Sequence, residues 1–192
     1  MSQGEVGKEQ QPVSPELFRD VIRHLASGVT IITSMGSGGP VGLTATAVCS
    51  VSAKPPMLLV SLNTASHTVE GVKASGAFAV HLLSHADKAY AEKFALPEHH
   101  FDGVSYRADQ ATGAPILNKA LGYLVCVVEN AVPVADHILF IGRVVGCGLN
   151  DKQPHPLLYF DRNYRKLSSE TETPATILEP WGSAQDIGMV SA

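Results

Sequence analysis

The stretch VGLTATAVCSVSAKPPMLLVSL, residues 41–62, concentrates hydroxyl side chains in an otherwise hydrophobic chain. These hydroxyl residues stand among small apolar residues and precede two consecutive prolines; they are Thr44, Thr46, Ser50 and Ser52. Threonine is common in strands, and the alternation fits a strand with one face in water. The other interpretation is a wall for a polar, planar, phosphorylated ligand, because small residues let the backbone approach a ligand that hydroxyl and N–H groups then bind.

A second cluster of hydroxyl and amide side chains follows in SLNTASHT, residues 61–68. The apolar run before it indicates a strand, and SHTVEGVKAS, residues 66–75, indicates a helix. A helix N-terminus that carries Ser66 and Thr68 is a natural seat for a phosphate group. Two such clusters on neighbouring strands favour a ligand over a wet sheet face, although the pattern alone does not name the ligand.

Strand-like segments dominate the rest of the chain. They are VTIITS, GLTATAVCSV, MLLVSL, AFAVHLL, YLVCVVENAV and HILFIGRVVGCGL. Most follow one another without a crossover helix, which favours antiparallel pairing over a doubly wound parallel sheet. The glycines at 36–39 indicate a hairpin turn, and no strand–GxGxxG–helix order supports a Rossmann domain. The sequence therefore predicts a mainly β fold, a small β-barrel with flanking helices, since closure removes exposed sheet edges.

Helical patterns frame these strands. In SPELFRDVIRHLA, apolar residues recur every four positions after a Ser14 cap, which predicts an amphipathic helix that ends before Gly28. A second short helical segment covers residues 85–95. We expect one folded domain over residues 14–167, with a flexible N-terminal tail at 1–13 and a C-terminal tail at 168–192.

The composition argues against several functional classes. Charged residues make up only 17% of the chain, which is consistent with a surface covered by a partner subunit. No run of Lys and Arg supports binding to nucleic acid or to an anionic membrane. No apolar run reaches the roughly 18 residues of a membrane span, and the polar N-terminus lacks the apolar centre of a signal peptide. We therefore expect a cytoplasmic protein.

The cysteines and histidines show no metal-binding pattern. Cys49, Cys126 and Cys147 are far apart in apolar runs, and we interpret them as reduced core residues. The eight histidines form no zinc-ligand spacing, so we expect no metal site.

Seven segments form an ordered series over about residues 16–167. They are FRDVIRHLASGVTIITS, GLTATAVCSVSAKPPMLLVSL, ASHTVEGVKASGAFAVHLL, EKFALPEHHFDGV, GAPILNKALGYLVC, ADHILFIGRV and PLLYFDRNYRKL. No single segment is specific, but the series resembles the flavin reductase family of the FMN-binding split-barrel fold. The resemblance implies an antiparallel Greek-key split β-barrel, a homodimer, FAD or FMN as flavin, and a reduced nicotinamide nucleotide as hydride donor. It also implies a separate flavin-dependent monooxygenase that receives the free reduced flavin by diffusion.

The resemblance also implies roles for particular residues. The residues along the isoalloxazine edge and the ribityl chain would be Thr44, Ala45, Thr46 and Ala47. Those toward the phosphate would be Ser50, Ser52, Asn63, Ser66 and Thr68, with Tyr164 and Arg165 near the site in the closing segment. His137 is the candidate catalytic residue on the nicotinamide side; the alternative is a surface or dimer-interface histidine paired with Asp136.

The chain departs from the family pattern at three positions. Ala135 stands where glycine is common, and because alanine tolerates positive φ poorly, we expect the turn before His137 to differ slightly. His67 stands where Arg or Lys is frequent, which suggests a less cationic phosphate site, as suits a reductase that releases its product. His81 replaces a common asparagine, and we interpret it as a core or interface histidine.

Three functional hypotheses remain open at this point. The first is an NAD(P)H:flavin oxidoreductase, with NADH favoured because no Arg/Lys cluster is available for a 2′-phosphate. The second is an FMN-bound electron carrier or sensor, and the third is a split-barrel reductase of another acceptor, such as a corrinoid or a ferric chelate.

Overall fold

Antiparallel strands make up most of the described structure, a computed structural model that covers residues 12–97, 101–150 and 155–167. The helices are α1 (Pro15–Ile22), α2 (His67–Ser75) and α3 (Lys88–Phe94), with a 3-10 turn at His85–Asp87 before α3. The strands are β1 (Ser27–Gly28), β2 (Thr30–Gly36), β3 (Gly39–Ala45), β4 (Val48–Ala53), β5 (Pro56–Asn63), β6 (Ala77–Leu82), β7 (Tyr106–Ala108), β8 (Pro115–Leu117), β9 (Gly122–Val134), β10 (His137–Leu149), β11 (Leu158–Phe160) and β12 (Asn163–Arg165). The predicted helices and strands are confirmed, except that the single predicted run at 42–51 is divided between β3 and β4.

The central sheet has seven strands in the order β3-β2-β6-β9-β10-β5-β4, and every neighbouring pair is antiparallel. Its two edges, β3 and β4, are consecutive in the chain and are joined only by Thr46 and Ala47. The three residue steps from Ala45 to Val48 span at most about 10 Å, so the two edges must come together. The sheet therefore curls into a barrel that is split at this junction, Thr46–Ala47, which we call the seam. The predicted mainly β, antiparallel split barrel is confirmed.

Strand β2 has both of its faces covered, because its first five residues are all buried. Ile32 belongs to the barrel core together with Phe78 and Phe140. Ile31 belongs to a second core cluster that includes Phe94 of α3. Successive side chains of a strand point to opposite faces, so the barrel interior and α3 pack on opposite sides of β2. This packing fixes α3 next to β3 and the seam.

The amphipathic helix predicted near the N-terminus is present as α1, but its apolar face is exposed. Leu17 is 57% exposed, Phe18 58% and Val21 66%. Polar contacts attach the end of this helix to the turn between β11 and β12: Arg23 Nε lies 3.3 Å from Asp161 Oδ1, and the Arg23 carbonyl accepts a hydrogen bond from the Asp161 N–H. The apolar face is therefore available to a partner.

The prediction that all three cysteines are core residues is wrong for two of them. Cys126 is buried, and burial raises the pKa of its thiol to about 12. Cys49 and Cys147 are exposed, because β4 is an edge strand and Cys147 lies on the outward-facing side of β10. All three are free thiols.

The two predicted tails fall largely outside the described residues, which exclude 1–11 and 168–192. The limits of the folded domain, 14–167, accordingly stay a prediction. Within the described ranges, no helix combines the length and the apolar character that a bilayer crossing needs.

Candidate functional site

A cavity of about 960 Å³ opens at the seam. Its lining comes from β3 and the seam, the end of β5, the start of α2, the end of α3 with the loop after it, and the start of β10. The predicted site residues that line it are Thr44, Ala45, Thr46, Ala47, Asn63, Ser66, Thr68 and His137. Residues of both hydroxyl clusters of the sequence therefore line one cavity.

The seam contributes backbone donors that have no partner in the described part of the chain. The Ala47 carbonyl accepts a hydrogen bond from the Ser61 N–H, but among the described residues the Thr46 and Ala47 N–H groups donate none. The Thr44 hydroxyl donates to the Ala91 carbonyl at 2.7 Å, which ties β3 to α3. Backbone N–H groups need a partner from protein, water or ligand, so the seam is suited to bind acceptor atoms of a ligand.

Helix α2 begins at the same cavity. Ser66 is its N-cap, and the Ser66 hydroxyl oxygen accepts a hydrogen bond from the Thr68 N–H at 3.2 Å. Asn63 shapes the turn into the helix, since its Oδ1 accepts a hydrogen bond from the Ala65 N–H at 2.9 Å. The partial positive charge of a helix N-terminus attracts anions. None of the described lining residues is Lys or Arg, so the N-terminus of α2 supplies the positive potential at this end.

His137 enters the cavity from the first position of β10, opposite Asn63 in the pairing of β10 with β5. Its Nδ1 lies 2.8 Å from Asp136 Oδ1, and this hydrogen bond lowers the pKa of the Asp136 carboxyl. The contact orients the imidazole ring and leaves Nε2 without a partner among the described residues. His137 is thus placed to offer one ring nitrogen to a ligand.

The turn before His137 is stabilised by hydrogen bonds from Thr64, a residue outside the turn. Ala135 adopts a φ of 51°, in the left-handed region that glycine prefers. Alanine therefore adopts at this turn a backbone conformation that is less favourable for alanine than for glycine. Thr64 stabilises the turn, since its N–H and its hydroxyl both donate to the Asp136 carbonyl, at 2.9 Å and 3.1 Å.

One wall of the cavity, formed at the end of α3, is apolar and was not predicted. It contains Phe94 at the end of α3 and Phe101 in the following loop, whose rings meet edge to face with centroids 5.2 Å apart. The Phe94 ring also packs closely against β3. Gly42 of β3 allows this contact, because a Cβ at that position would lie 2.8 Å from Phe94 Cε1. An apolar residue on a helix resembles a core residue in sequence; the available signal is the pair of phenylalanines in EKFALPEHHFDGV, the second of which precedes a glycine by two positions.

The structure does not bring every predicted residue to this cavity. Ser50 and Ser52 lie on β4 as it runs away from the seam; Ser50 is exposed, and the Ser52 hydroxyl accepts a hydrogen bond from the Lys54 N–H in the turn to β5. A second, smaller cavity adjoins the main cavity at the seam, and Tyr164 lines it. Ser50, Ser52 and Arg165 line neither of these two cavities.

Comparison with known proteins gives one family. The model of the family described as flavin reductase like domain matches residues 22–168. The chain is 35% identical over 167 residues to the flavin reductase (NADH) of Kitasatospora aureofaciens, which covers 85% of this chain and 87% of that protein. It is 36% identical over 162 residues to the FMN reductase (NADH) of Pseudomonas syringae pv. syringae, with coverage of 83% and 90%.

Solved structures agree with this assignment. Nitrilotriacetate monooxygenase component B from Mycobacterium thermoresistibile aligns with a TM-score of 0.79 at 30% identity, over 84% of this chain and 91% of that one. The NADH:FAD oxidoreductase of Streptomyces globisporus, solved in complex with NAD and FAD fragments, aligns with a TM-score of 0.76 at 26% identity, over 85% and 100%. The split barrel, the seam cavity and a family match over most of the chain lead to one conclusion: the protein belongs to the flavin reductase like family.

Proposed function

We propose that this protein is an NADH-dependent flavin reductase that supplies free reduced FAD or FMN to a partner flavin-dependent monooxygenase. One observation carries the proposal: unpaired seam N–H groups, the N-terminus of α2 and His137 surround a single cavity of about 960 Å³. The names of relatives support it, since they include NADH-dependent flavin reductases and a monooxygenase component.

The residues of the cavity fit a flavin. The volume lies in the range of pockets that hold cofactor-sized ligands, roughly 300–1,000 Å³. The Thr46 and Ala47 N–H groups suit the carbonyl oxygen and ring nitrogen atoms of an isoalloxazine edge. In the same cavity, the N-terminus of α2 suits a phosphate group, and Ser66 marks that end.

Each element of the chain then has a task. When bound, a flavin supplies the acceptor for the hydride of reduced nicotinamide. The seam N–H groups hold the polar edge of that ring and stabilise the negative charge that develops there. Phe94 and Phe101 form an apolar wall that excludes water from their side of the cavity. The Nε2 atom of His137 offers a hydrogen bond that orients the nicotinamide nucleotide.

The site has no built anchor for the 2′-phosphate of NADPH. The described residues that line the site include no Lys or Arg. The His67 side chain at the start of α2 is a weaker phosphate ligand than either of these would be. This supports NADH as the donor. The same lack of cations supports release of the reduced flavin, and a cytoplasmic location belongs to the proposal because the released flavin must reach its monooxygenase by diffusion.

A homodimer is also part of the proposal. The exposed apolar residues of α1 continue to Ile22 and Leu25, which are 44% and 63% exposed. The outer half of β9 adds exposed Val132 and Val134, beyond the end of its neighbour β6. Apolar faces of this kind mark interaction surfaces. Light scattering should give twice the chain mass of 20.3 kDa.

Steady-state oxidation of NADH with added FAD or FMN tests the function. The flavin-free protein should oxidise NADH only when a flavin is present, and NADPH should be the poorer donor. Tight stoichiometric flavin with slow turnover would instead indicate an electron carrier or sensor. Faster turnover with a ferric chelate or a corrinoid, in competition with free flavin, would indicate another acceptor.

A further inference from the structure

A second cavity, of about 210 Å³, adjoins the main cavity at the seam. The two share Thr44, Ala45, Thr46 and Ala95, whereas Tyr159 and Tyr164 line only the smaller one. A ligand that occupies the main cavity can therefore extend a second group across this shared rim. The tasks assigned above leave this smaller space unused.

The walls of the smaller cavity suit a flat aromatic ring. The Tyr159 and Tyr164 rings meet edge to face, with centroids 5.5 Å apart and an interplanar angle of 68°. Within the described part of the chain, neither phenol hydroxyl makes a hydrogen bond, so both can serve a ligand that carries ring nitrogen acceptors. Burial raises the pKa of Tyr164, which keeps its hydroxyl protonated and able to donate.

The charges around the cavity do not suit a phosphate. Lys88 Nζ lies 5.9 Å from the centre of the Tyr164 ring, but it is engaged with Glu92 Oε1 at 3.2 Å. No Lys, Arg or His is among the described residues that line the cavity. A neutral ring therefore fits the walls better than the anionic part of a nucleotide.

The ring in this cavity is not the one that reacts. Hydride transfer needs the two redox rings in contact with each other, and Ala47 of the seam and His137 line only the main cavity. A dinucleotide carries one further flat, neutral ring with nitrogen acceptors, which is adenine. Aromatic side chains stack readily on nucleobases.

We propose that the smaller cavity binds the adenine ring of a dinucleotide against Tyr159 and Tyr164. Two dinucleotides of the proposed reaction carry this ring, FAD and NADH, and the chemistry of the subsite is the same for both. The inference rests on the proposed function, because that function brings a dinucleotide to the seam.

The test compares each dinucleotide with the mononucleotide that lacks adenine, in Tyr164→Ala and in Tyr159→Ala. If FAD places its adenine here, its Kd should rise about tenfold while the Kd of FMN stays unchanged, in keeping with the loss of one stacked base. If NADH does so, its KM should rise about tenfold while the KM of reduced nicotinamide mononucleotide stays unchanged. The ratio of the dinucleotide constant to the mononucleotide constant, Kd or KM, cancels any general loss of folded protein. Tyr159 is 36% exposed, so its truncation should destabilise the protein less than that of Tyr164.

Tyr90→Ala is the matched control. Tyr90 is also partly buried against the second core cluster and also carries a lysine over its ring, Lys119 at 5.8 Å, but it lines neither cavity. Its ratios should equal those of the wild type. Unchanged ratios in both cavity variants, or equal weakening of mononucleotides and dinucleotides, would overturn the adenine subsite. A wild-type protein that binds neither flavin nor NADH would instead overturn the proposed function.

Discussion

The two histidines on the barrel strands, His81 and His137, show how the same side chain can be fully hydrogen-bonded in the scaffold in one region and line a cavity in another. His81 is fully buried between β2 and β8, with Nδ1 at 3.1 Å from the Ile31 carbonyl and Nε2 accepting a hydrogen bond from the Leu117 N–H at 3.0 Å. At the mouth of the cavity, His137 has one ring nitrogen on Asp136 and the other without a partner among the described residues. Both ring nitrogens of His81 are hydrogen-bonded within the scaffold, whereas the Nε2 atom of His137 is available for a hydrogen bond to a ligand.

The largest effect that we expect is a loss of stability in acid, caused by the buried scaffold histidine His81. Burial lowers the pKa of His81 from 6.5 to about 4, so the unfolded chain takes up its proton near pH 6.5 and the folded chain only near pH 4. The free energy of unfolding should therefore fall by about 3 kcal/mol as the pH drops through this window, and this component should then level off. Urea unfolding at a series of pH values measures it.

His81→Leu isolates this contribution. The variant is less stable at neutral pH because the Leu117 N–H loses its acceptor, but its stability should lack the component between pH 6.5 and pH 4. A variant with the same pH slope as the wild type would show that other groups cause the acid loss.

Packing between scaffold and site should give the next largest effect. Gly42→Ala places a Cβ 2.8 Å from Phe94 Cε1 and 3.0 Å from the Ile32 carbonyl oxygen, so the end of α3 must shift. We expect a loss of about 1–3 kcal/mol in the free energy of unfolding, with weaker flavin binding because Phe94 lines the cavity. Gly28→Ala is the control, since its Cβ would meet no atom within 4 Å, and both measurements should stay unchanged.

Removal of the site histidine should affect activity and leave the scaffold intact. His137→Ala should lower kcat/KM for NADH by roughly 5–30-fold, the loss of a positioning hydrogen bond of about 1–2 kcal/mol, while the Kd of flavin and the Tm stay close to wild type. Stopped-flow measurement of hydride transfer to pre-bound flavin checks it. A normal hydride-transfer rate and NADH dependence together with a lower Tm would move His137 to the scaffold.

The smallest effect concerns the cap of α2. Ser66→Ala removes the acceptor of the Thr68 N–H and should cost about 1 kcal/mol in stability. It should also weaken FMN binding several-fold, because the hydroxyl lines the predicted phosphate end. Ser14→Ala, which removes the equivalent cap of α1 away from the cavity, should cost similar stability and leave FMN binding unchanged.

The sequence predicted the antiparallel strands and the helices, because alternation, turns and caps are local signals, and the ordered series of seven segments indicated the family. It did not predict that the run at 42–51 breaks at Thr46 and Ala47, since barrel closure depends on strands far away in the chain. The resemblance implied that Ser50 and Ser52 lie toward the phosphate of the flavin; on an unbroken strand they would share the face of Thr44, but the break directs β4 away from the cavity. Phe94 was missed because an apolar residue on a helix looks the same whether it faces a core or a cavity.

The hydrogen bonds from Thr64 to Asp136 have a consequence for the order in which ligands bind. Thr64 lies between Asn63 and the cap of α2, so the proposed phosphate end of the flavin and the histidine of the nicotinamide side share one rigid connection. Alanine at position 135 does not favour the turn by itself, so His137 depends on that connection for its place. A flavin phosphate bound at the start of α2 would hold the Thr64 contacts that position His137, and we expect positive cooperativity, in which each ligand raises the affinity for the other by the same factor.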